Sequence, residues 1–256
     1  MTKLTLLTKI NDNNKLKLVG RALNLAFEGL EIETKILGAV AGGWVQIALS
    51  GEDEGIATNY VIKEVGLCPS NFESVKKFST LKGYIKKIGK NREELSMDVG
   101  VFQPKAVYAT MPLRRLQDQL VDGRKIALKK IVELFGLDEG LPVSVKVVEL
   151  NKEKSRIDAE LSSKQIRKYG VWRESLLDRL LVLGASLPEV EAAIERAKLK
   201  RDVIDVETLG LLEQALTCKL GTDAAGLIPK IGRTLKNARF SVFNPKKVMN
   251  FLNLPK

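Results

Sequence analysis

Histidine is absent from the 256-residue chain. That removes the commonest general base, the usual activator of a serine or cysteine nucleophile and the commonest metal ligand. Most hydrolase chemistry is thereby excluded; no catalytic residue and no metal site are expected. Cysteine is nearly as scarce: Cys68 and Cys218 stand 150 positions apart and in no C-x-x-C spacing, so both are read as free thiols. No stretch approaches the roughly 18 consecutive apolar residues of a membrane helix. The short apolar run at the N-terminus breaks into polar turn residues without a small-residue cleavage site, which predicts a cytoplasmic protein with no membrane partner. Neither a Walker A loop nor a G-x-G-x-x-G fingerprint occurs, and no cofactor is predicted.

What is present in excess is positive charge. Lysine and arginine number 42 against 31 acidic residues, a net charge of +11. Residues 75–92 hold Lys76, Lys77, Lys82, Lys86, Lys87, Lys90 and Arg92 and no acidic residue. Residues 224–256 hold Lys230, Arg233, Lys236, Arg239, Lys246, Lys247 and Lys256, again with no acidic one. The remainder of the chain carries 28 basic residues against 31 acidic ones, so these two stretches account for the whole excess. Patches of one sign are the footprint of a phosphate-backbone binder, because neutralised phosphates release counterions. Phe78 and Tyr84 interleave the first stretch, Phe240 and Phe243 the second, in positions suited to base stacking. The alternative for either patch is a solvated face whose aromatics point into the core.

Hydrophobic periodicity divides the chain into three. Residues 1–74 read as strand, helix, strand, strand, helix, with Gly42-Gly43 as a tight turn and residues 66–74 as a linker. Residues 75–163 read as five short strands (81–89, 95–101, 106–110, 143–150, 156–161), with helices opening at Met111 and spanning 124–135 between the third and fourth, which is the OB pattern. Residues 164–256 begin with a linking helix carrying Trp172 and continue strand-helix-strand-strand-helix-strand, the ferredoxin-like order. The predicted class is α+β: a central OB barrel between two small α/β sandwich domains. The outer two share a strand running into a Gly turn and a helix, at Gly51 and at Gly221.

Gly221-Thr222-Asp223-Ala224-Ala225-Gly226, flanked by Lys219 and Lys230, is small enough to cradle a phosphate at a helix N-terminus. Capping of the helix by Thr222 or Asp223 is favoured, since Asp223 repels an anion. Asp98, Asp158 and Glu160 alternate outward from apolar neighbours and are read as solvent-facing, not as a catalytic pair. Trp44 and Trp172 are read as packing residues.

Lys82-Gly83-Tyr84-Ile85, Met97-Asp98-Val99-Gly100-Val101, Met111-Pro112-Leu113 and Glu160-Leu161-Ser162-Ser163-Lys164 resemble the successive strands of an S1 domain. The residues from Arg201-Asp202-Val203-Ile204 to Leu209-Gly210-Leu211-Leu212-Glu213, continuing to Cys218-Lys219-Leu220-Gly221-Thr222-Asp223-Ala224-Ala225-Gly226-Leu227-Ile228, are similar to the C-terminal signature of an uncharacterised archaeal family, domain-of-unknown-function family 2110. That resemblance implies an archaeal origin and an S1-like barrel, and brings no reaction with it. Where S1 domains place stacking aromatics on strands two and three, this chain has Leu95 and Met97, with Phe102 and Tyr108 the nearest rings. The expectation is therefore a non-catalytic, ribosome-associated RNA-binding protein that reads phosphates and shape. The expected contacts are Lys76, Lys77, Lys82, Tyr84, Lys86, Lys87, Lys90, Arg92, Arg114, Arg115, Lys219, Lys230, Arg233, Lys236, Arg239, Lys246 and Lys247. The alternative is a protein-interaction adaptor docked on RNA polymerase.

Overall fold

A computed structural model describes the chain except for residues 11, 13, 90–92, 154 and 255–256. β1 (Thr2–Lys9), α1 (Asn14–Ala26), β2 (Ile32–Val40), β3 (Trp44–Gly51) and α2 (Glu54–Tyr60), which widens into a π turn over Val61–Val65, make the first unit. Its antiparallel sheet has the order β1-β3-β2. One sheet face buries Leu4, Leu6, Val45, Ile47 and Leu49 against Val19 and Leu23 of α1 and Phe27 just past its end, spaced four apart, and against Ala57 and Val61. The turn between β2 and β3 holds Gly42 and Gly43 at φ 81° and 85°, a conformation that costs a glycine little.

Residues 66–71 are sheet edges, not free linker. Leu67 bridges Leu6 on β1, with Leu7 N–H donating to Gly66 O and Cys68 N–H to Thr5 O. Three residues on, β4 (Ser70–Asn71) pairs in parallel with a barrel strand.

The barrel follows as β5 (Thr80–Ile85), β6 (Glu94–Gln103), β7 (Val107–Pro112), α3 (Leu113–Leu120), α4 (Leu128–Phe135), β8 (Pro142–Asn151) and β9 (Arg156–Leu161). β5 pairs with β6 and β8, β6 with β7, β8 with β9, and β7 closes the circle in parallel with β9. This is a closed five-stranded OB barrel, with both helices between its third and fourth strands. Alternation settles what fills it: Ile85, Leu95, Met97, Val99, Val107, Ala109, Met111, Val143, Val145, Ile157 and Ala159 point inward and are buried. Leu95 and Met97 are therefore barrel interior, and not the ligand-facing positions that comparison with S1 strands gave them.

α5 (Ser163–Glu174), capped by the Ser162 hydroxyl accepting from Gln165 N–H at 3.2 Å, leads to the last unit. There β10 (Arg179–Leu183), α6 (Leu187–Arg196), β11 (Val203–Gly210), β12 (Glu213–Cys218), α7 (Ala224–Ile231) and β13 (Arg239–Phe243) form an antiparallel sheet of order β11-β12-β10-β13, the ferredoxin-like arrangement. The first unit has the same connectivity with its fourth strand reduced to the Leu67 bridge. α8 (Pro245–Leu252), which the sequence reading did not anticipate, starts at an Asn244 cap.

One face of the last sheet packs on α6 and α7. The other joins the barrel core: Phe135 of α4, Tyr169 and Trp172 of α5 and Phe243 of β13 stack with centroids 5.3–6.2 Å apart, each ring pair adding about 0.5–1.5 kcal/mol beyond its area burial. Leu212, in the β11–β12 turn, inserts into the core of the first unit. No helix among the described residues is long and apolar enough to cross a membrane.

Candidate nucleic-acid interface

Lys82 and Tyr84 leave β5 on its outer side, and Lys86 follows in the same direction. Tyr84, expected to stack on a base, is only 3% exposed. Leu7 and Trp44 of the first unit cover it, Trp44 edge-on at 5.7 Å. Directly across on β6 lies Asp98, expected in solvent yet 4% exposed; its carboxylate accepts from Lys9 Nζ at 2.6 Å and from Gly100 N–H at 3.2 Å. Both positions do face out of the barrel. The first unit lies over them, so this part of the usual OB ligand face is occupied by the chain itself.

The Tyr84 hydroxyl joins all three units, standing 3.2 Å from Leu7 O and 3.0 Å from Glu213 Oε2 of β12. A hydroxyl has one proton for these two acceptors. Burial pushes the Glu213 carboxyl up to about 7, against the Tyr84 hydrogen bond, the Lys82 charge, the Leu212 N–H and the Lys15 charge, which all pull it down. Protonated, Glu213 donates to Tyr84 and Tyr84 to Leu7; ionised, it accepts the hydrogen bond from the Tyr84 hydroxyl and the Leu7 carbonyl loses this donor.

Above this contact opens a groove of about 220 Å³, lined by Lys9 and Lys15 from the first unit, Lys86 and Lys87 from the barrel, and Gly184, Asn237 and Arg239 from the last unit, with Tyr84 and Glu213 beneath. A second hollow shares Lys87 and Arg239 and continues past Ile88 to Phe240. Two of the cations are already matched, Lys9 by Asp98 and Arg239 by Glu139 at 3.0 Å. Lys15, Lys86 and Lys87 make no ion pair among the described residues. Lys86 Nζ sits 3.2 Å from the centroid of the Tyr108 ring, a cation–π contact on the one outward aromatic of β7, which stays 37% exposed. Lys9 and Lys15 lie in stretches of mixed sequence; only the packing of β1 and α1 beside β5 places them here.

The other expected contacts are dispersed. Lys76 and Lys77 are exposed before β5, where Phe78, 64% exposed, lies under Lys77 and Lys146. Lys82 enters a different recess. Arg114 is exposed on α3, while Arg115 pairs with Glu160 at 3.1 Å. Glu160 and Asp158 are outward ion-pair partners, Asp158 of Arg156 at 2.7 Å. Lys219, Lys230, Arg233 and Lys236 are exposed around α7, and Lys246 and Lys247 on the first turn of α8. Lys90 and Arg92 fall outside the described residues. Of the second stretch's aromatics, Phe243 is core and Phe240 half-buried. At the Gly221 turn Asp223 caps α7, accepting from Ala225 N–H at 3.1 Å, and Asp178 takes Ala224 N–H at 3.2 Å. Carboxylates thus fill the place a phosphate would need.

Residues 75–173 match the model of the DUF2110 central domain and residues 177–243 that of the DUF2110 C-terminal domain. The chain belongs to the DUF2110 family. Lys86 and Lys87 lie in the first of these DUF2110 regions and Arg239 in the second, while Lys9 and Lys15 precede both. No curated protein matches the chain. Among solved structures, an uncharacterised protein from Methanocaldococcus jannaschii aligns at 17% identity over 35% of this chain and 95% of that one, with a TM-score of 0.24. The intact alpha subunit of aIF2 from Pyrococcus abyssi aligns at 13% identity over 66% and 97%, with a TM-score of 0.27. A chain of the a/eIF2alpha-aDim2p-rRNA complex from Pyrococcus horikoshii aligns at 16% identity over 50% and 70%, also at 0.27. Likenesses this distant decide nothing about the fold, which rests on the strand pairings above.

Proposed function

We propose that this DUF2110 chain binds structured RNA through its phosphate backbone, without catalysis of its own, at the groove where its three units meet. One observation carries the reading: Lys86 and Lys87 of the first basic stretch and Arg239 of the second line one groove, and Lys15 joins them from a third part of the chain. Phosphates, not bases, are the better partners for this site, because Tyr84 is buried and Tyr108 lies beneath Lys86. RNA of the ribosome is the proposed target in the cell.

Binding of a fluorescent RNA hairpin, titrated at several salt concentrations, tests the proposal. Affinity should fall steeply with salt, each neutralised phosphate contributing about 0.7–0.9 to the log–log slope. The double substitution Lys86→Glu with Lys87→Glu should weaken binding by about tenfold or more and flatten that slope. Binding indifferent to salt, or to this substitution, overturns it.

A further inference from the structure

A larger recess, of about 540 Å³, lies on the far side of the Leu7–Tyr84–Glu213 contact, within the roughly 300–1,000 Å³ of small-molecule sites. Its walls come from residues 62–69, the start of β5, residues 141–144, α5 and the end of β11. Lys63, Lys82, Lys164 and Lys168 line it, with Glu64 the one carboxylate among its described lining residues. Lys168 is engaged by Glu207 at 2.6 Å and lies over Trp172. Lys63, Lys82 and Lys164 make no ion pair among the described residues.

Lys82 is the informative one. It is half-buried on β5, and burial, reinforced by Lys168 and Lys164, holds its ammonium below the usual lysine range although Glu213 and, more weakly, Glu64 pull the other way. A cation withdrawn from water without a partner is destabilising unless an anion accompanies it. The Tyr169 hydroxyl, on the same wall, is buried beside the Gln165 side chain and lacks a partner at normal hydrogen-bond geometry. Leu81, Pro142, Leu209 and Trp172 supply apolar surface beside this polar end.

We infer that the recess binds a phosphate monoester of about mononucleotide size, its phosphate between Lys82 and Lys164 and its organic part against the apolar wall. A monoester carries close to two negative charges near neutrality, which suits uncompensated ammonium groups better than the single charge of a backbone diester. The ligand is either a free mononucleotide or the 5′-phosphorylated end of an RNA. Nothing in this inference depends on the groove.

The test measures binding of AMP, adenosine, and one short RNA bearing a 5′-phosphate or a 5′-hydroxyl, together with the thermal midpoint of the full chain. A thermal shift and measurable affinity for AMP assign the site to free nucleotide; preference for the 5′-phosphorylated RNA alone assigns it to an RNA end. In either case Lys82→Met and Lys164→Gln should weaken binding by about tenfold or more, while Lys86→Glu with Lys87→Glu leaves AMP binding unchanged. A failed groove with an intact recess is thereby recognisable. Lys82→Met should also melt no lower than the native chain in phosphate-free buffer, so that its lost response is not loss of fold. The inference is overturned if phosphorylated and unphosphorylated ligands bind alike, if the response survives Lys82→Met, or if that variant melts lower without ligand.

Discussion

Gly83 shows how much one missing methyl group does here. A Cβ built on it would stand 2.6 Å from the Asp98 carbonyl oxygen and 2.8 Å from Val99 Cγ1, so β5 approaches β6 only because this residue has no side chain. Gly83→Ala should lower stability by about 1–3 kcal/mol through overpacking, read as a shift in urea midpoint. Its neighbours in sequence show where residue-level reading stops. Alternation correctly sends Lys82 and Tyr84 to one side of β5 and Asp98 outward on β6. It cannot say what covers them, and the covering residues, Leu7, Lys9 and Trp44, come from 40 or more positions upstream. A tyrosine read as a stacking platform is therefore a buried junction, and a carboxylate read as solvated is the buried half of a partly buried ion pair.

At the scale of elements, the barrel strands are legible because apolar inward residues alternate with polar outward ones in their sequences, even where the first unit covers the outward side at Tyr84 and Asp98. β10 and β12 are buried throughout; β10 is legible as a short apolar run, whereas Glu213, Gln214 and Thr217 interrupt any such run in β12. The Leu67 bridge and β4 are not legible, since two or three residues carry no period. α8 carries a helix-start signal in Asn244-Pro245, but eight residues give its apolar period little length to show. Asn244 accepts from Lys247 N–H at 2.9 Å and donates to Asp178 Oδ2 at 3.1 Å, tying α8 to the cap of α7. Asn244→Ala should cost about 1–2 kcal/mol, measurable by calorimetry, with little effect on the groove.

At the scale of the molecule, Glu213 makes the joint between units sensitive to pH. Its carboxyl lies near 7 when folded and near 4.5 when exposed, so between those values the folded state holds the extra proton. The contribution is complete below about 4.5 and is lost as pH rises through 7, worth about 3 kcal/mol over the window at roughly 1.4 kcal/mol per pH unit. Stability should therefore fall between pH 5 and 8. Glu213→Gln should flatten that profile and leave the variant more stable than the native chain at pH 8; a thermal midpoint recorded against pH decides it. The groove lies directly above this carboxyl, which no motif in the sequence marks, because its shift comes from burial under distant parts of the chain.

Residues 66–71 close the edge of the first sheet at Leu67 and then add β4 to the barrel. A protease that attacks exposed tips has no slack tether to cut there, and limited digestion should begin elsewhere. Pieces made by dividing the chain in this segment would each be released with an unpaired strand edge, the kind of surface that recruits other strands. They should come out of expression aggregated, where the whole chain does not.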